Sequence, residues 1–181
     1  MASIFGHAVV GLTITKLFDK NDKKLLLLAV VSSFLPDIDV LAFNFGIPYS
    51  HPFGHRGFTH SIIFAVLWAV LLASIFSKQS KLKWFLVMFL STISHGLLDA
   101  MTSGGRGVGF FIPFNNERIF LPLREIIVSP LGIDRFFSEW GLQVISSELK
   151  YIFICSRCMG YIVVIQVLNI IRYSHYPAKL K

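Results

Sequence analysis

The sequence predicts an all-α protein, a multi-pass membrane helical bundle with a polar metal site at one end, and three observations point to it. The chain is strongly apolar, with 54% of its 181 residues hydrophobic, 15% charged and a mean hydropathy of +0.66. Its apolar runs approach bilayer-spanning length and are joined by short lysine-rich loops. The few His and Asp residues inside those runs fall at the ends away from the lysines. A cytosolic domain is disfavoured by this composition, and disorder is excluded because aromatic residues, 18 of them Phe, make up 14% of the chain.

The first run, Ile4 to Phe18, ends in the loop Lys16 to Lys24. His7 lies only about 14 Å of helix from Lys16, short enough for this segment to enter from the interface without spanning. The second, Leu25 to Phe45, is interrupted by Pro36-Asp37-Ile38-Asp39. The third and fourth, Ser61 to Phe76 and Trp84 to Met101, flank the loop Lys78 to Lys83. Loops this short favour antiparallel neighbours. Gly104 to Asn116 reads as irregular, a helix is expected around Asp134 to Leu149, and Tyr151 to Ile171 has spanning length but carries Arg157. Residues 1–125 are expected to form the core, with 126–181 a C-terminal helical segment and basic tail of the same domain. No internal repeat suggests a solenoid, and the N-terminus lacks the basic start and cleavage site of a secretory signal, so it is expected to be retained.

A net charge of +7 raises nucleic acid and anionic membrane as partners. Lys16, Lys20, Lys23, Lys24, Lys78, Lys81 and Lys83 cap apolar segments and form no basic face interleaved with aromatics, so nucleic acid is set aside. By the positive-inside rule both lysine loops and the Arg172 to Lys181 tail face the cytoplasm. The polar residues then gather near the extracytoplasmic interface. Asp39 lies about 22 Å of helix from Lys24, His60 about 27 Å from Lys78 and His95 about 18 Å from Lys83, so alternating helices present them to one place.

In Ser94-His95-Gly96-Leu97-Leu98-Asp99, His95 and Asp99 share a helix face at i and i+4. In Gly54-His55-Arg56-Gly57-Phe58-Thr59-His60-Ser61, His55 and His60 are about 140° apart on a regular helix, so Thr59 is read as the N-cap, with His55 and Arg56 in the loop above the site. In Leu35-Pro36-Asp37-Ile38-Asp39, two acids end an apolar helix, where their charge opposes the helix dipole unless a cation is near. His7, Asp39, His60, His95 and Asp99 are the expected ligands of a divalent metal, zinc in one or two ions, with manganese or iron as alternatives. Asp37, His55 and Arg56 are expected to serve a metal-activated water or an anionic oxygen, a constellation that fits phosphoester hydrolysis. Arg106, Arg118 and Arg124 are read first as loop or headgroup-facing charges and second as phosphate contacts. Membrane lipid is the expected partner, with a lipid or lipid-linked phosphoester as substrate. The competing reading is a non-catalytic protein whose His/Asp cluster holds a structural metal or conducts ions or protons. Cys155 and Cys158 read as buried thiols, His51 and His175 as peripheral, and Trp68, Trp84 and Trp140 as core or interfacial anchors.

Gly6-His7, Leu35-Pro36-Asp37-Ile38-Asp39, the His55 to Ser61 run, His95-x-x-x-Asp99, Met101-Thr102 and Phe111-x-Pro113-Phe114 together resemble the YdjM/YbcI-like family of membrane-bound metal-dependent hydrolases. The resemblance covers about residues 1–125, in order. It implies a bacterial inner-membrane, multi-pass protein with a hydrolase site. A more distant similarity is to zinc-dependent phospholipase C-type enzymes, which implies Asp99 as a metal-bridging ligand. This chain lacks their N-terminal Trp and later His-x-x-x-Glu pair, and carries Val40 where relatives usually have His.

Overall fold

A computed structural model of the chain describes residues 1–129 and 137–149. The second half of the C-terminal segment, including Tyr151 to Ile171, Cys155, Cys158, His175 and the basic tail, lies outside the described residues, as do the first residues of the helix expected from Asp134.

The described residues are helical and contain no strand. Helix α1 (Ile4–Phe18) is capped by Ser3, whose hydroxyl accepts from the Gly6 N–H. Helix α2 (Lys23–Phe34) is capped by Asp22, whose carboxylate accepts from the N–H groups of Lys24 and Leu25. Pro36 has no N–H for the carbonyl four residues back, so the α-helix stops at Phe34 and tightens into a 3-10 stretch, Leu35–Phe45. That stretch ends on Gly46, whose φ of 72° is the left-handed conformation that favours glycine. A 3-10 turn, Phe58–His60, precedes α3 (Ile62–Phe76), and α4 (Lys81–Ala100) follows after a short loop. Residues 139–149 form a further helix.

Ser61, not Thr59, caps α3: its hydroxyl accepts from the Phe64 N–H at 3.1 Å. Thr59 is drawn inward instead and gives its hydroxyl to Asp39.

Helix α4 packs against α1, α2 and α3, and α1 packs against α2. The lysine loops share one end. Lys83 Nζ pairs with Asp19 Oδ2 at 2.7 Å across the α1–α2 loop, and Lys24 stands 4.3 Å from the centre of the Phe76 ring. Asp19 titrates low, at about 2, held down first by the Lys83 ammonium and then by the N–H groups of Asn21 and Asp22. Near this end Leu25, Ala29, Ala69, Leu72, Ala73, Trp84, Val87 and Met88 form the largest apolar core. Outward residues such as Leu27, Leu67, Ile75 and Leu82 are exposed.

By length and composition, Lys23–Phe45, with 23 residues, is the one helical stretch among the described residues long and apolar enough to cross a membrane. Ile4–Phe18 and Ile62–Phe76 are apolar but shorter.

Candidate metal centre

At the end opposite the lysines, the start of α1, the 3-10 stretch after α2, the turn before α3 and the last two turns of α4 converge. Four ligand atoms from these elements, on Asp37, His60, His95 and Asp99, lie within 4.8 Å of one another. His95 Nε2 is 3.1 Å from His60 Nε2 and 3.3 Å from Asp37 Oδ1. His60 Nε2 is 3.8 Å from Asp37 Oδ1 and 3.7 Å from Asp99 Oδ2. Tetrahedral N and O ligands about 2.0–2.1 Å from zinc are separated by about 3.3 Å, so small adjustments accommodate an ion.

The hydrogen bonds around the cluster fix which imidazole nitrogens face it. His95 Nδ1 meets the carbonyl of Ser33 at 2.8 Å, and only a protonated Nδ1 can donate there. His60 Nδ1 lies 3.1 Å from Asp39 Oδ2, which again calls for the proton on Nδ1. When both rings are neutral the Nε2 lone pair is left for the cluster, the arrangement by which outer partners orient metal-binding histidines. Two such lone pairs at 3.1 Å repel unless a cation lies between them. Asp37 Oδ1 and Asp99 Oδ2 aim at the same point, are buried and have no hydrogen-bond partner. His7 stacks on His95 with ring centroids 3.8 Å apart, and its Nε2 is 3.7 Å from Asp99 Oδ1. Both of its ring nitrogens are likewise buried without a hydrogen bond.

Asp37 and Asp39 part company because of the 3-10 geometry. Residues two apart in such a helix point about 120° from each other. Asp37 therefore faces His60 and His95, while Asp39 faces the loop. Asp39 Oδ1 is 2.7 Å from His55 Nδ1, and Oδ2 accepts from the Arg56 backbone N–H at 3.0 Å and the Thr59 hydroxyl at 2.7 Å. Asp39, His55 and His60 form a second close group whose polar atoms are largely occupied with one another.

The loop that carries His55 and Arg56 explains the glycines of the sequence motif. A Cβ on Gly54 would sit 2.3 Å from the Pro48 carbonyl oxygen, and one on Gly57 would sit 2.1 Å from that of Pro52. Only glycine admits these approaches. Between them Arg56 takes a φ of 62°, unusual for a residue with a Cβ and costing about 1–2 kcal/mol. Its N–H to Asp39 and its carbonyl, which accepts from Gly109 at 2.9 Å, hold that conformation. The Arg56 side chain, 1% exposed, places Nε 3.0 Å from Asp99 Oδ2, an ion pair whose alignment falls short of a hydrogen bond. Its terminal nitrogens donate to the Gly104 carbonyl and the Thr102 hydroxyl, each at 3.1 Å.

The other arginines among the described residues do not converge on the cluster. Arg118 donates to the carbonyls of Tyr49, His51 and His55, and burial lowers its pKa; Arg124 donates to those of Thr102 and Ser103. Arg106 is exposed and stands over Tyr49. His51 is exposed and accepts from the Phe53 N–H.

Several contributors have no sequence signal. The Ala2 N–H donates to Asp99 Oδ1 at 2.7 Å. Glu148, from the 139–149 helix, accepts from the Ser3 backbone N–H and hydroxyl at the start of α1, and burial raises its pKa. The contact spans 145 residues, so no local pattern reveals it.

The family model of the YdjM inner membrane protein matches residues 1–171. The inner membrane protein YbcI of Escherichia coli (strain K12) is 38% identical over 159 residues, covering 85% of this chain and 92% of the relative. No solved structure matches the chain. The chain therefore belongs to the YdjM inner membrane protein family, which supports an inner-membrane location, and within it carries a His/Asp cluster able to hold a metal ion.

Proposed function

We propose that this member of the family is a membrane-bound, metal-dependent hydrolase of phosphoesters, with lipid or lipid-linked phosphates as its substrate class. The observation that carries the reading is the pair of imidazole Nε2 atoms 3.1 Å apart, with two buried carboxylate oxygens that have no hydrogen-bond partner beside them. A proton could relieve the imidazoles alone, but two carboxylates on the same point call for more charge, and the mixed N and O donors suit zinc first, then manganese or iron.

Asp37, His60, His95 and Asp99 would hold the ion, with His7 stacked beside them. Asp39 keeps the His60 proton on Nδ1 and anchors His55, and Ser33 does the same for His95. A bound divalent ion supplies a water of near-neutral pKa and polarises a phosphoryl oxygen. Asp37 is the member of the cluster with the most open side chain, 14% exposed, and would be the one to meet an incoming water. Ile38, Leu41 and Phe45, exposed on the same 3-10 stretch, give the approach an apolar border, which supports a lipid-borne substrate.

The chain is read as crossing the membrane more than once, its lysine loops cytoplasmic and its site near the extracytoplasmic face, in line with the separation of Lys83 and Asp19 from the cluster. A reporter inserted in the Lys78 to Lys83 loop is expected to be cytoplasmic, and an extracytoplasmic signal refutes the orientation. Purified protein is expected to carry bound zinc or manganese and to cleave a generic phosphodiester, with Asp99→Asn losing both properties. Metal without turnover on any phosphoester or amide substrate favours a structural metal instead, and absence of metal in wild type and His95→Ala alike ends the reading.

A further inference from the structure

We infer that the cluster takes one divalent ion and not two, because the Arg56 guanidinium already occupies the position and supplies the charge of a second. The inference rests on the metal-centre reading above.

The first ground is charge. Asp37, Asp39 and Asp99 bring three negative charges to a region where His7, His55, His60, His95 and Arg56 are all buried. With neutral imidazoles, and with buried Glu148 set against the N-terminal ammonium beside Asp99, one divalent ion and Arg56 together balance those three charges. A second divalent ion would leave the pocket with two uncompensated positive charges, and burying unpaired charge is strongly unfavourable.

The second ground is space at the carboxylate a second ion would share. Asp99 Oδ1 is taken by the Ala2 N–H at 2.7 Å, with His7 Nε2 at 3.7 Å. Asp99 Oδ2 faces His60 Nε2 on one side and Arg56 Nε, at 3.0 Å, on the other. Around that guanidinium stand the Asp99 carboxylate, the Thr102 hydroxyl and the Gly104 carbonyl. Carboxylate, hydroxyl and carbonyl oxygens form the donor set a hard cation takes, and here an arginine fills it. Asp39 offers no alternative, since Oδ1 is held by His55 and Oδ2 by the Arg56 N–H and Thr59. The left-handed backbone at Arg56, pinned by Asp39 and Gly109, fixes the side chain in that position. Arg56 is thus a positioning residue and a fixed cation, engaged with the protein instead of extended toward substrate.

The test is a titration of purified full-length protein with Co²⁺, followed by its visible absorption and by total metal after desalting. Wild type is expected to saturate at one equivalent, His95→Ala to lose it, and Arg56→Lys, which keeps the charge, to stay at one. Arg56→Gln empties the oxygen cradle and leaves one negative charge unbalanced, so a second, weaker equivalent is expected. Two equivalents in the wild type overturn the inference while leaving the metal centre standing. None overturns both. Arg56→Gln that folds and still stops at one equivalent overturns the assignment of Arg56 as the second cation.

Discussion

The two ends of the bundle are built on opposite principles. Around Leu25, Ala29, Ala69, Val87 and Met88 helices meet through small and apolar side chains, and the charges of Lys83 and Asp19 stay in the connecting loops. Around His7, His60, His95, Asp99 and Arg56 the same helices bury imidazoles, carboxylates and a guanidinium, all at or below 2% exposure. One end is held by non-directional packing and tolerates change gradually. The other is held by paired charges, and loses much when one member is removed.

The contrast breaks most sharply at Asp99. Asp99→Ala leaves Arg56 buried without its counter-charge, and a loss of about 3–5 kcal/mol is expected in chemical denaturation of the detergent-solubilised protein. In the wild type, chelation is expected to raise amide exchange in residues 35–61 while leaving the Leu25 to Ala29 and Val87 to Met88 segments protected. Uniform loosening would show that the two ends are one cooperative unit. Met88→Ala, at the apolar end, is expected to cost about 2–3 kcal/mol by cavity formation and to leave metal content unchanged. Ser61→Ala removes the cap of α3 next to His60, with an expected loss of about 1 kcal/mol and a measurable drop in metal affinity.

The smallest effect is at the lysine end. The Asp19 pKa is depressed to about 2, so its contribution to stability is complete above the ordinary carboxylate range and fades as pH falls toward 2. The stability difference between wild type and Asp19→Asn is expected to be flat near neutrality and to shrink across that acid window. Glu148 runs the other way. Its pKa is raised by burial, so its favourable share is complete below the ordinary glutamate range and is lost as pH rises, and Glu148→Gln is expected to gain on the wild type as the solution is made less acidic.

The partition into two ends was legible in the sequence because polar residues are rare in apolar segments. His60, His95 and Asp99 stood out on that ground, and the alternating lysine loops placed them together. Family membership was legible from the same motifs. The directions of Asp37 and Asp39 were not, since they depend on α2 tightening into a 3-10 stretch after Pro36, and an α-helix would have aimed the two differently. Which of Thr59 and Ser61 caps α3 was equally hidden, as either hydroxyl suits the cap until Asp39 claims the first. Arg56 was read as reaching for an anion, whereas the anion within reach is Asp99 of the same chain. Among the described residues, length and composition yield one clear spanning stretch, Lys23–Phe45, where the four apolar runs there suggested more.

The bond between Ser3 and Glu148 has a consequence in time. The start of α1 leaves the ribosome ahead of its partner, which follows 145 residues later. At about 5–20 residues per second, that is a wait of roughly 7–30 s. During that interval His7, His55, His60, His95 and then Asp99 emerge while the helix end that touches Asp99 through Ala2 lacks its anchor. The pocket therefore completes itself late, from the last described helix backward to the first.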